Sequence, residues 1–81
     1  MEDKEALDVL ADNIDAKLLK IRKSPYWLAT ESGETPATIS RILNRKNMPG
    51  MGVVTRLATA LHCKLDDLVP LQKRKKLRTS A

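Results

Sequence analysis

Two hydroxyl–proline pairs, Ser24-Pro25 and Thr35-Pro36, stand eleven residues apart. Each is a helix-starting signal. The hydroxyl can accept a hydrogen bond from an orphan amide at the N-cap. Proline suits the next position, because its missing N–H would have had no partner there. Between the pairs sits Gly33, which can take a positive φ and turn the chain. The first helix therefore runs over about 25–32, with Leu28 and Ala29 inward. The second runs over about 36–44, with Ile39, Ile42 and Leu43 as its apolar face. Two short helices across a glycine turn form either a helix-turn-helix unit or a plain αα-hairpin in a small bundle. Spacing alone leaves both open.

The flanking segments read as helix too. Residues 6–22 carry Leu7, Leu10, Ile14, Leu18 and Ile21 on one helical face. Acids crowd the start of that segment, and Lys17, Lys20, Arg22 and Lys23 its end, an order that suits the helix dipole. After a polar loop, residues 51–61 turn Val54, Leu57, Ala58 and Leu61 inward. His62 ends that helix, and "KLDDLVPL" makes a last short turn or helix up to Pro70. No strand pattern, linker or internal repeat is visible. The expected fold is all-α, a compact bundle of about five helices in one domain over residues 1–71. Residues 72–81, with Lys73, Arg74, Lys75, Lys76 and Arg78, read as a loose basic tail. Tyr26 and Trp27 are the only aromatics, so the core must be aliphatic. Trp27 either packs on a neighbouring helix or partly covers a partner surface.

Charge narrows the partners. The formal net charge is +5, but residues 1–15 hold six acids (Glu2, Asp3, Glu5, Asp8, Asp12, Asp15) against Lys4. The remaining 66 residues carry +10. A basic body with an acidic end suits a polyanionic partner, although solvated surfaces are often basic as well. No apolar run could span a membrane, and the acidic start lacks the layout of a secretory signal. One cysteine cannot form an intrachain disulfide and fits a reducing cytoplasm. Cys63 and His62 are adjacent, without a polar orienter, so they do not make a nucleophilic pair. Cys63 reads as a small buried apolar group. One Cys and one His cannot hold structural zinc unaided. Asp66 and Asp67 read as a cap and surface charge. Neither an enzyme nor a cofactor is expected.

The run "LATESGETPATISRIL" resembles the lambda-repressor/Cro-type (XRE-like) helix-turn-helix family of phage and bacterial repressors. Ala29, Gly33, Ile39 and Ile42 match its alanine in the first helix, turn glycine and two apolar positions. The alanine is small because the second helix crosses close above it. "MPGMGVVTRLATALHCKLDDLV" is similar to the segment that follows in the family, through Pro49, Met51, Val54, Leu57, Ala58, Ala60, Leu61, Leu65, Asp67 and Leu68. The likeness covers about residues 7–70. There are departures. Glu34 follows the turn glycine where the family is usually apolar, and it must point away from DNA or make a capping contact. Pro25 replaces a frequent DNA-contacting glutamine. Arg45 and His62 stand where glycine, or for His62 also asparagine, is common.

The resemblance implies that the second helix enters a DNA major groove, a docking geometry for which lambda repressor is itself a standard example. Base reading then falls to Pro36, Ala37, Thr38, Ser40 and Arg41, with Arg41 able to bond guanine bidentately. Phosphate contacts fall to Ser24, Tyr26, Thr35, Asn44, Arg45, Lys46 and Asn47. The basic tail either wraps DNA as an arm or serves as solubilising charge or a linker. Dimerisation is assigned, as exposed apolar residues, to Leu65, Leu68, Val69 and Leu71.

The expected function is a sequence-specific regulator, a repressor binding a palindromic operator on double-stranded DNA as a homodimer, in the host cytoplasm or nucleoid. One alternative is an antitoxin that binds its own promoter and a toxin protein. Another is a bridging module that binds protein or RNA.

Overall fold

Several helices of the bundle begin or end where local chemistry dictates. The computed structural model describes residues 2–69, and the side chains of residues 5–69. In chain order the helices are α1 (Glu2–Ile21), α2 (Pro25–Ser32), α3 (Pro36–Leu43), α4 (Met51–Ala60) and α5 (Leu65–Leu68). Both hydroxyl–proline starts form as expected. Ser24 Oγ accepts from the Trp27 amide at 3.1 Å, and Thr35 Oγ1 accepts from the Thr38 amide at 3.1 Å. Asp67 caps α5 by accepting the Lys64 amide at 3.0 Å on Oδ2.

Three of the helix ends share one device. Arg22, Arg45 and His62 all take left-handed backbone angles, with φ of 59°, 58° and 56°. At each, two amides fold back onto the final turn. Arg22 N–H donates to Leu19 O and Lys23 N–H to Leu18 O. Arg45 donates to Ile42 O and Lys46 to Arg41 O. His62 donates to Thr59 O and Cys63 to Ala58 O. These paired bonds satisfy carbonyls that would otherwise be orphaned. A left-handed non-glycine residue costs about 1 kcal/mol. Arg45 and His62 stand where the family resemblance has glycine. Arg22 carries no such signal.

The core is aliphatic. Leu10, Ile14, Leu28, Ile39, Ile42, Val54, Leu57, Leu68 and Val69 are all under 2% exposed. Burying each such side chain contributes roughly 1.5–3 kcal/mol. α2 packs on α3 and α4, α1 packs on α3 and α5, and α4 packs on α5. Trp27 is half-buried against this core, with Lys23 Nζ 5.6 Å from its ring centroid. Ile21, placed by spacing on the inner face of α1, is instead exposed, because the helix ends there and Arg22 turns the chain away.

The assignment of Leu68 and Val69 to an exposed dimerisation surface is corrected. Leu68 and Val69 are wholly buried against the bundle, and Leu65 is half-buried against the same core. Asn13 reinforces the closure, donating from Nδ2 to the Leu68 carbonyl at 2.7 Å. Those apolar groups are already used inside one chain. Leu71 and the tail at 72–81 lie outside the described residues. Among the described residues, no helix is long and apolar enough to cross a membrane.

Candidate nucleic-acid interface

The turn between α2 and α3 sets the pose of α3. Gly33 takes φ 79° and donates its amide to Thr30 O. The Ser32 hydroxyl, buried, donates to Ala29 O at 3.3 Å and accepts from the Glu34 amide at 3.3 Å. This brace ties both sides of the turn. Ala29 is 1% exposed, consistent with α3 crossing close above it.

With Ile39 and Ile42 each 1% exposed, the opposite side of α3 faces solvent. Pro36, Ala37, Ser40 and Arg41 are all exposed there. Thr38 is half-buried, and its hydroxyl accepts from Thr35 Oγ1 at 3.0 Å. Asn44 Nδ2 donates to Ser40 Oγ at 3.1 Å, one turn away. The Arg41 side chain makes no hydrogen bond or ion pair among the described residues, so its five donors are available.

Two clefts flank this face. One, of about 300 Å³, lies between Pro25 and Tyr26 of α2 and Pro36, Ser40, Leu43 and Asn44. It brings exposed Tyr26 beside α3. The other, of about 340 Å³, is lined by Glu34, Thr38, Arg41 and Asn47 over an apolar floor that includes Ile42 and Met48. Ser24, Thr35, Lys46 and Asn47 are all exposed, and Asn47 lines the second cleft.

Two charged residues beside this face make ion pairs distant in sequence. Arg45 turns away from Lys46 and towards α1. Its Nε bonds Asp8 Oδ1 at 3.0 Å, its Nη2 pairs with Asp12, and its Nη1 donates to Leu43 O at 3.1 Å. Its guanidinium, assigned above to a phosphate contact, is paired within the protein while the residue stays exposed. Glu34 makes no capping contact, and its carboxylate turns towards α4. That carboxylate, 13% exposed, accepts on Oε2 from Nε of Arg56 at 2.7 Å and forms an ion pair with Nη2 at 2.6 Å. No local spacing signals either contact, since the partners are far apart in sequence.

Cys63 is partly buried, and burial pushes its thiol above the ordinary value of 9.0. The Lys17 charge opposes that rise and Asp67 adds to it. Such a thiol is a poor nucleophile. Among the described residues, no group of three or more His, Cys, Asp or Glu is placed to hold a metal ion.

Comparison with known proteins agrees with this geometry. The helix-turn-helix family model matches residues 27–68, which span α2 to α5. The fold is similar to the crystal structure of a hypothetical transcription factor, NHTF, from Neisseria. The TM-score is 0.76 at 24% identity, covering 93% of this chain and 87% of that one. No curated protein matches the sequence.

Proposed function

From the premise that the chain belongs to the lambda-repressor-like helix-turn-helix family, we propose that it is a transcriptional regulator that reads double-stranded DNA with α3 in the major groove. One observation carries the reading. Ile39 and Ile42 anchor α3 from beneath, while Arg41 stands exposed and unengaged, among the described residues, on the opposite side. A fixed helix with a free guanidinium fits the geometry of bidentate guanine recognition. Ala37 and Pro36 offer apolar contact to a thymine methyl or a sugar, and Ser40 and Thr38 supply hydroxyls. Ser24, Tyr26, Thr35, Asn44, Lys46 and Asn47 surround that helix and clamp phosphates, which sets register without reading sequence. The regulator works where the DNA is, in the cytoplasm or nucleoid.

One helix contacts few base pairs. Each good bidentate contact discriminates by only about 1–3 kcal/mol, which is small against a genome of competing sites. Two copies on a palindromic operator double the readout, with half-sites about 34 Å apart. Repression needs nothing beyond that occupancy. The Neisseria protein is described as a hypothetical transcription factor, which favours regulation over protein or RNA bridging.

Selection from random duplex DNA, at several salt concentrations, tests the proposal. The expected product is a two-fold symmetric sequence bound in preference to random duplex, with affinity falling as salt rises. Failure to enrich any sequence would contradict it.

A further inference from the structure

The Glu34–Arg56 pair places a carboxylate at a sensitive position. Glu34 follows the turn glycine and lines the same cleft as Arg41 and Thr38. A bare carboxylate there has two harmful options. It repels incoming phosphates, and it attracts the cation across the cleft, which is Arg41. Capture of Arg41 would occupy the donors that α3 offers to a base.

In this structure Arg56 holds the carboxylate, and Glu34 and Arg41 do not pair. From α4, Arg56 Nε donates to Oε2 at 2.7 Å and its Nη2 stands in ion-pair contact with the same oxygen at 2.6 Å. The guanidinium remains 55% exposed while Glu34 is 13% exposed. The carboxylate is therefore the more enclosed member and the one that most needs a partner. Arg41 is correspondingly left without one among the described residues.

We propose that Arg56 is a positioning residue for DNA reading: by holding Glu34 it keeps the base-reading Arg41 free. The inference rests on the DNA-binding function proposed above. It assigns to Arg56 an effect that passes through Glu34 and is separate from any direct phosphate contact. Arg56 and Glu34 should therefore show strong dependence on one another in DNA affinity.

The test is a two-residue cycle on the full chain: wild type, R56Q, E34Q and the double variant. Binding to the selected operator and to random duplex is measured by fluorescence anisotropy at fixed salt. Thermal melting confirms that each variant is folded. R56Q should lose roughly tenfold or more in operator affinity, the scale of one base-reading arginine. Its preference for operator over random duplex should shrink as well. E34Q alone should bind at least as tightly as wild type. The double variant should regain most of what R56Q lost, since the carboxylate that captures Arg41 is gone. If R56Q costs as much in the E34Q background as it does beside the native carboxylate, the inference is overturned and Arg56 is a simple phosphate contact. An R56Q protein that binds as well as wild type would overturn it too. If wild type prefers no duplex at all, the functional reading itself fails, which is a separate result.

Discussion

Arg45 Nε lies 3.0 Å from Asp8 Oδ1, a contact that spans 37 residues and ties the loop after α3 to α1. Asp12 shares the same guanidinium. The acidic start of the chain thereby pairs one base of the loop with α1, beside exposed Lys46. Replacing both carboxylates, D8N with D12N, should release Arg45. The freed charge should add about one phosphate contact and steepen the slope of log affinity against log salt by roughly 0.9. Stability should change by less than about 1 kcal/mol, since these groups are largely exposed. Salt titration of operator binding, beside urea melts, checks both. An unchanged slope would mean that Arg45 cannot reach the backbone.

Asn13 donates to the Leu68 carbonyl at 2.7 Å and so fixes α5 against α1. Asn13→Ala leaves that carbonyl without its partner in a partly buried place. The expected cost is about 1–3 kcal/mol of unfolding free energy. Urea denaturation followed by circular dichroism gives the number. A cost near zero would mean that water replaces the amide.

The turn between α2 and α3 separates backbone strain from crowding. At Gly33 an added Cβ meets nothing within 4 Å, but φ is 79°. Gly33→Ala should therefore cost only the left-handed penalty, about 1–2 kcal/mol. Ala29 is 1% exposed, so Ala29→Leu should overpack the site by about 1–3 kcal/mol. It should also weaken operator binding by pushing α3 outward. Melting curves and anisotropy on both variants distinguish the two causes, since Gly33→Ala should leave affinity of the folded protein nearly intact.

Burial raises the Cys63 thiol above its ordinary value of 9.0. The folded protein thus holds that proton more tightly than the unfolded chain does. The linked stability is present in full below the unfolded value, and is lost as pH rises from there through the higher folded one. Alkylation by iodoacetamide at about pH 8, where the thiolate fraction sets the rate, should accordingly run slower than for the unfolded chain in urea. Equal rates would show an ordinary, accessible thiol.

Much of this architecture is legible because its signals are local. Ser24 and Thr35 cap amides three residues on, within the reach of a sequence pattern. Ile39 and Ile42 share a helical face for the same reason, and Arg45 and His62 occupy left-handed positions that the family resemblance marks. Leu68 and Val69 escape such a reading, since a four-residue helix is too short to display a period, and only α1 and α4 reveal which side of it is covered. Glu34 with Arg56 and Arg45 with Asp8 depend on how α4 and α1 dock, which no spacing along the chain encodes. Ser32 carries no signal at all, because serine is mostly a surface residue.

The central claim is that the outer side of α3 reads bases through Arg41. The most direct measurement is the affinity of Arg41→Ala for the selected operator and for random duplex, beside Lys46→Ala as a backbone-contact control. Arg41→Ala should lose about 1–3 kcal/mol on operator, little on random duplex, and relax the choice at one base pair. Lys46→Ala should weaken both duplexes alike. Equal losses on both duplexes for Arg41→Ala would contradict the account.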